Sequence, residues 1–327
     1  MEEHKYVGTL VAGKGRKSDL KKRINDCKGV LDEIAEICKV MGISEVRMSF
    51  VLLLINSCFA LKFKHGCEVW DRLNKAETNI VNSLIPDTMK RILEVSKSTP
   101  STAVIHDMGI VDLDLEICME RILLAVKVMK MDSCRIVKQL FEAMFELMIP
   151  GFCSFLKEDL ELFGIHDLAF FNDISNERKM MKELMIKLQH ERLVIAMMKG
   201  SKTDAMLLHF SYDGRMKEYF RMLPFHESRI IFLLRSRMLP TKVNFPNRWS
   251  TSLLCNFCCE KETDEHLFWC CGYMDLHRGE LEHGTFIRLD CEMNELSLAA
   301  RTLLKIHDRL LQSNEDLNGL KKEEGDE

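Results

Sequence analysis

Helix-breaking residues are scarce in this sequence, which has 6 Pro and 16 Gly among 327 residues. With 21 Met, this composition favours helices over strands and loops. Long apolar runs are also missing. The longest, Phe50 to Leu61, is interrupted by Asn56 and Ser57 and is too short to cross a bilayer. The sequence therefore predicts a soluble, mainly helical protein without membrane contact.

The chain has no excess of positive charge. Its 46 Lys and Arg residues stand against 50 Asp and Glu, which gives a net charge of −4 and a pI near 6.3. This balance argues against a protein that binds polyanions over its whole surface, although local basic patches remain possible. A Gly-x-x-x-x-Gly-Lys-Ser/Thr signature is absent, which excludes a nucleotide-binding P-loop.

A disulfide framework is not expected either. The 13 cysteines are odd in number, and no signal peptide precedes them. Several occur singly on apolar helical faces, among them Cys38, Cys58 and Cys118. These features predict a reducing, intracellular location in the nucleus or cytoplasm.

Metal-ligand spacing is the strongest signal in the chain. Cys255 and Cys258 form a Cys-x-x-Cys motif, and His266 follows after seven residues, ahead of the pair Cys270 and Cys271. Two thiolates from one tight turn, with a His and a Cys from the next element, can close a tetrahedron around a structural zinc ion. On an ideal helix the residue four positions after the histidine shares its face, which favours Cys270 as the fourth ligand.

The alternative is that these residues are reduced cysteines in a small apolar cluster around Phe257, Phe268 and Trp269. The two-part Cys/His spacing favours zinc, because chance produces it much less often than an isolated Cys-x-x-Cys.

Two segments carry local positive charge. From Lys14 to Arg23 there are six basic residues and a single acid, so Lys14, Arg16 and Lys17 are candidates for backbone phosphate contacts. The other interpretation is a solvated turn that leads into a helix.

The second basic segment lies between His226 and Ser250, where five basic residues stand against one acid and aromatic residues are interleaved. Arginine binds phosphate with two hydrogen bonds, and aromatic rings stack on unpaired bases. Alternatively, the arginines pair with acids or helix ends, and the tryptophan packs on the metal site. The nucleic-acid candidates here are Arg235, Arg237, Lys242, Arg248 and Trp249.

Apolar residues at helical spacing fill most of the chain. They predict a mainly α, multi-helix bundle. A short N-terminal strand pair, with one strand at Tyr6–Val11, and a C-terminal zinc knuckle complete the predicted fold. One predicted helix ends near Leu84, and Pro86 begins the next. The polar, mostly acidic segment Asn314–Glu327 is expected to be a disordered tail.

The spacing Cys-x2-Cys-x7-His-x4-Cys, with Glu265 before His266 and Leu267–Phe268 after it, resembles the zinc-binding segment at the C-terminal end of non-LTR retrotransposon reverse transcriptases. This resemblance selects Cys271, not Cys270, as the fourth ligand. The run Arg235–Lys242 resembles the basic segment that leads into that site, and Lys97–Pro100 resembles a Ser/Thr-Pro segment of the thumb region.

The resemblance implies a thumb and connection region that lies downstream of the polymerase centre and binds template RNA or target DNA. It divides the chain into an end of the palm (1–24), a helical thumb and connection region (25–224), a basic helix with the zinc knuckle (225–290), a C-terminal helix (291–313) and the tail (314–327).

The carboxylates of a polymerase centre are missing. Two-metal polymerases hold Mg²⁺ with clustered carboxylates, and this family uses an adjacent Asp-Asp pair, which the chain lacks. Asp112 and Asp114 are interpreted as helix-start residues. The chain is therefore expected to bind nucleic acid without polymerising by itself.

The rival interpretation is a non-enzymatic helical scaffold that binds protein. A zinc hydrolase would need an open coordination position, which four protein ligands exclude.

Overall fold

The computed structural model is predominantly helical, as the sequence predicts. It describes residues 3–6, 9–12, 17–42, 46–70, 72–147, 149–172, 174–199, 212–245, 252–264, 266–272 and 297–308.

The α-helices in chain order are α1 Lys17–Val40, α2 Met48–Leu54, α3 Leu61–Lys64, α4 Lys75–Ile92, α5 Ser101–Met108, α6 Leu113–Met129, α7 Ile136–Glu146, α8 Phe152–Leu162, α9 Glu177–Lys199, α10 Glu218–Met222, α11 Phe225–Arg235 and α12 at 297–308. Ile55–Ala60 and His266–Cys270 are π-helical, whereas Cys67–Val69 and Leu168–Phe171 are 3₁₀ turns. Two short strands, β1 Glu3–Tyr6 and β2 Thr9–Ala12, pair antiparallel with Glu3 opposite Ala12.

One continuous helical run joins α2, the first π-helical segment and α3. Val51, Ile55, Phe59 and Phe63 recur every four residues and are at most 2 % exposed, so this face packs into the core. By length and composition alone, Met48–Val69 is the one stretch of the described residues that can span a membrane, with a third of its most apolar window buried inside the protein. The absence of membrane contact stays a prediction.

The helix break expected before Pro86 is wrong. Helix α4 begins after Asn74, whose side chain accepts a hydrogen bond from Glu77 N–H while the Glu77 carboxylate accepts one from Asn74 N–H. It then runs through Pro86 to Ile92. Proline removes one backbone hydrogen bond, but apolar residues on both sides of it are buried, and their burial outweighs that loss.

The apolar core has two clusters that share helices α6 and α9. The larger one contains buried residues of α1–α5, α10, α11, the metal-site segment and α12, together with Leu193 and Met197 of α9. The smaller one gathers residues of α6–α9. Leu113 and Ile117 on α6 belong to the larger cluster, and Leu115 and Met119 belong to the smaller one. Opposite faces of one helix therefore join the two clusters, and the metal site packs against the larger.

Candidate metal centre

A short hairpin positions the first two metal ligands. Leu254 forms an isolated antiparallel bridge with Lys261, and Cys255 N–H donates to Glu260 O at 2.6 Å. Cys259 adopts a left-handed conformation (φ 61°), and its N–H donates to Cys255 O at 3.1 Å. This tight turn brings the two thiols of the Cys-x-x-Cys motif to the same side of the hairpin.

The π-helical segment decides which cysteine is the fourth ligand. Thr263 caps the segment, because its Oγ1 accepts a hydrogen bond from His266 N–H at 2.9 Å. Cys271 N–H donates to His266 O at 2.7 Å, an i→i+5 bond that places residues five apart on one face. The choice of Cys270 from ideal helix geometry is therefore wrong. Cys270 is exposed, whereas Cys271 is buried beside the other ligands.

The four ligand atoms of Cys255, Cys258, His266 and Cys271 lie within 4.8 Å of one another, so the cluster can hold a metal ion. Cys258 Sγ is 3.1 Å from His266 Nε2 and 3.9 Å from Cys271 Sγ. A tetrahedral ion with bonds of about 2.0–2.3 Å needs ligand separations of roughly 3.3–3.8 Å, close to these values. Four protein ligands leave no open position for a substrate.

Burial raises the pKa of the Cys255 thiol to about 12. Backbone N–H groups of Phe257 and Cys258 donate to its sulfur and lower the pKa, while Cys271 raises it again. A thiol in this environment stays protonated at neutral pH unless a cation stabilises the thiolate. A bound metal ion supplies that positive charge.

Lys242 supports the metal-site hairpin and is not a free cation for phosphate. It is 3 % exposed, and its Nζ donates to Leu254 O at 2.6 Å and also bonds Asn256 Oδ1. The buried Glu262 carboxylate lies 3.9 Å from the ammonium and accepts a hydrogen bond from Lys242 N–H at 2.9 Å. The nucleic-acid role expected for this residue is corrected, because burial and these partners take the side chain out of reach.

Arg235 is likewise an internal residue, 4 % exposed at the end of α11. Its guanidinium donates two hydrogen bonds to Asp107, from Nε at 2.7 Å and from Nη2 at 2.9 Å. Tyr219 and His106 also contact this carboxylate at 2.7 Å each. The alternative that this arginine pairs with an acid is correct, and the phosphate contact expected of it is not available in this structure.

Arg237 is half-buried and has a left-handed backbone (φ 53°) just beyond α11. Lys14, Arg16, Arg248 and Trp249 lie outside the described residues, so their expected contacts stay predictions. Lys17 is the first residue of α1, and only its backbone is described.

Asp112 and Asp114 begin α6, as the sequence predicts: the first precedes the helix and the second lies in its first turn. Arg192 on α9 binds both, with Nη1 at 3.2 Å from Asp112 Oδ2 and 2.8 Å from Asp114 Oδ1. An arginine thus occupies the position where a catalytic pair of carboxylates would hold cations.

Sequence reasoning missed Asp107 and Glu262, the acids that bind Arg235 and Lys242. No local pattern could have found them, because the first pair is separated by 128 residues along the chain.

The chain matches no family model, no curated protein and no solved structure.

Proposed function

We propose that the cluster binds a structural zinc ion and that this chain is the C-terminal, nucleic-acid-binding part of a non-LTR retrotransposon-type reverse transcriptase. The observation that carries the proposal is the convergence of Cys255, Cys258, His266 and Cys271, with ligand atoms within 4.8 Å of one another. They follow the Cys-x2-Cys-x7-His-x4-Cys spacing of that family's zinc-binding segment.

Zinc suits this cluster better than other biological cations. Three thiolates and one imidazole are soft or borderline ligands, whereas Mg²⁺ and Ca²⁺ prefer oxygen ligands. A closed tetrahedral set is typical of structural zinc sites, which stabilise a fold and perform no chemistry.

Nucleic acid is the proposed partner because basic residues precede the metal ligands in the chain and one lies on the hairpin between them. Arg237 is half-buried at the end of α11, and Lys261 is exposed on the hairpin. Arg235 and Lys242 are buried and bind Asp107 and Glu262, so they are not part of this surface. The proposed role of the metal is therefore to hold a basic surface in a fixed shape, and the phosphates of RNA or DNA bind that surface.

Polymerisation by this chain alone is not part of the proposal. No adjacent Asp-Asp pair occurs in the sequence, and the two acids at the start of α6 are bound by Arg192. Both Arg192 guanidinium nitrogens donate to Asp114, at 2.8 and 3.0 Å, so this carboxylate is already neutralised by an internal cation.

The test combines elemental analysis with nucleic-acid binding by the zinc-loaded protein. We expect about one zinc per chain and an affinity for single-stranded RNA and DNA that falls steeply as salt concentration rises. Arg237→Ala should weaken binding without loss of zinc. Leu298→Ala, which removes an exposed apolar side chain at the start of α12, is a control that should leave both properties unchanged.

The second candidate function is a zinc-stabilised scaffold that binds another protein. Helix α7 favours it, because Ile136, Val137 and Leu140 are 71 %, 57 % and 58 % exposed on one apolar face. Zinc retention with no RNA or DNA binding at low salt would support the scaffold. An absence of zinc would contradict both functions.

A further inference from the structure

A cavity of about 240 Å³ lies where α4, α6, α8 and α9 meet, and none of its lining residues belongs to the candidate metal cluster. Its volume is below the roughly 300–1,000 Å³ typical of sites for drug-sized ligands, so it suits a small molecule or a single functional group. Four cations and one carboxylate are among the residues that line it: Arg72, Leu73, Lys75, Thr78, Asp114, Ile117, Cys118, Arg121, Leu162 and Arg192.

The cations come from separate parts of the fold. Lys75 and Thr78 belong to the first turn of α4, the end of a helix that carries partial positive charge. Arg121 projects from α6 and Arg192 from α9. The lining carboxylate, Asp114, is already bound by Arg192 at 2.8 and 3.0 Å. Arg192 also binds Asp112, Arg72 pairs with Glu158, and Arg121 pairs with Asp159. Acids therefore offset three of the four lining cations, and Lys75 is the one for which the described residues show no ion pair.

Arg121 has an unused hydrogen-bond donor. It is 1 % exposed, its Nη1 pairs with Asp159, and its Nη2 donates to Trp70 O at 2.6 Å. Among the described residues, its Nε has no hydrogen-bond partner. A buried N–H without an acceptor is costly, so an acceptor oxygen at this position would be bound favourably.

The neutral lining residues do not oppose an anion. Burial raises the pKa of the Cys118 thiol, so this side chain carries no negative charge at neutral pH. The carboxylates that pair with Arg72 and Arg121, Glu158 and Asp159, are not part of the lining.

We propose that this cavity binds the phosphate group of a small phosphate-bearing anion through Lys75 and the first turn of α4, with Arg121 Nε as a further donor. Guanidinium groups present forked donors that match phosphate oxygens, and an ammonium adds a compact charge. The site shares no lining residue with the candidate metal cluster or with the proposed nucleic-acid surface.

Isothermal titration calorimetry of the full, zinc-loaded chain with inorganic phosphate tests the proposal, at constant ionic strength. We expect saturable binding at a single site. Lys75→Ala, at an exposed position, should weaken it about tenfold, the effect of losing one charge-assisted hydrogen bond. Lys28→Ala, also exposed but in a different cavity between α1 and α4, should leave the affinity unchanged.

Arg121→Lys is a second variant, which keeps a cation opposite Asp159 but removes the forked donors. It should also weaken phosphate binding, with thermal unfolding confirming that the variant is folded. If it does not fold, Lys75→Ala alone decides the question. The proposal is overturned by an absence of saturable binding, or by equal loss of affinity in Lys75→Ala and Lys28→Ala.

Competition identifies the source of the phosphate group. Displacement of inorganic phosphate by glycerol phosphate, and not by a dinucleotide, assigns the site to small phosphate monoesters. Displacement by the dinucleotide overturns the proposal, because the site would then bind the phosphodiester backbone of a nucleic acid and not a small phosphate monoester. Displacement of phosphate by an equal concentration of chloride overturns the phosphate assignment, because it indicates general charge screening.

Discussion

Helix α11 and the metal-site hairpin are neighbours, but they are stabilised in different ways. In α11, five consecutive residues from Ile230 to Leu234 are at most 7 % exposed, so apolar burial holds the helix in the core. In the hairpin, Leu253 and Leu254 are 40 % and 48 % exposed.

Among the described side chains of residues 252–272, the buried apolar ones are Cys255, Leu267 and Cys271, and two of these belong to the candidate metal cluster. Such a segment buries too little apolar surface to offset the conformational entropy lost on folding. The helical core is thus expected to fold without metal, whereas the hairpin is expected to need it.

The largest effect that separates the two regions comes from a metal ligand. Cys271→Ser should lower zinc affinity by more than about a hundredfold, since even partners outside the coordination sphere contribute 10–100-fold. Cys270→Ser, one residue away and exposed, should keep about one zinc per chain. Elemental analysis and limited proteolysis check this. Zinc loss should expose the hairpin to cleavage and leave the helical core resistant.

The reverse result would reassign the ligand. If Cys270→Ser released the metal and Cys271→Ser retained it, the π-helical segment would not set the metal site. If zinc loss in Cys271→Ser unfolded the whole chain, the contrast between a metal-dependent hairpin and a self-sufficient helical core would be lost.

The next effect tests the helical core. Arg235→Ala leaves the Asp107 carboxylate buried without its cation, which should lower the free energy of unfolding by about 3–5 kcal/mol. Arg91→Ala breaks a surface pair with Asp32, whose side chains are 49 % and 61 % exposed, and should cost about 0–1 kcal/mol. Urea denaturation measures both. Similar values for the two variants would contradict the internal role of Arg235.

The same ion pair predicts a pH dependence. Burial raises the pKa of Asp107, but the Arg235 guanidinium and His106 outweigh this effect and hold the pKa well below its usual range. The folded state thus keeps this carboxylate ionised, and its contribution to stability is present above the unfolded pKa of about 3.9. The contribution should disappear as the pH falls below that value.

The sequence predicts parts of this molecule that depend on local patterns. Helical spacing predicts the predominantly helical fold, and ligand spacing predicts Cys255, Cys258 and His266 as a cluster. The fourth ligand needed the resemblance, because a π-helix and an ideal α-helix place Cys270 and Cys271 differently.

Tertiary contacts explain the errors. The helix through Pro86 survives because its surroundings are buried, which the local sequence does not show. Arg235 and Lys242 have the composition of a basic surface, but partners 128 and 20 residues away bury them. Charge counted along a chain does not reveal which cations face solvent.

A smaller effect concerns the link between hairpin and core. Burial raises the pKa of Glu262, while Lys242 lowers it. Lys242→Met removes this cation, so we expect a loss of about 1–3 kcal/mol and about tenfold weaker zinc binding. The pKa of the carboxyl should rise further, so the loss should be larger at pH 7 than at pH 5. A loss independent of pH would contradict the pairing. Lys261→Met, at an exposed position, should change stability by less than about 0.5 kcal/mol.

The smallest expected effect separates binding from stability at Arg237. This residue follows α11 in a left-handed conformation (φ 53°), and Met238 N–H donates to Leu233 O at 2.8 Å, which closes the helix end. Glu94 occupies the equivalent position after α4, with φ 51° and a bond from Val95 N–H to Lys90 O at 3.0 Å.

Glycine adopts this conformation without strain, so Arg237→Gly and Glu94→Gly should each raise the free energy of unfolding by up to about 1 kcal/mol. Only Arg237→Gly removes a cation of the basic segment that precedes the metal ligands in the chain. It should therefore weaken RNA and DNA binding and reduce the dependence of the affinity on salt concentration. Glu94→Gly should leave the affinity and its salt dependence unchanged. If the two variants bind RNA and DNA with the same affinity and the same salt dependence, the Arg237 side chain does not contact nucleic acid, and the binding surface lies elsewhere.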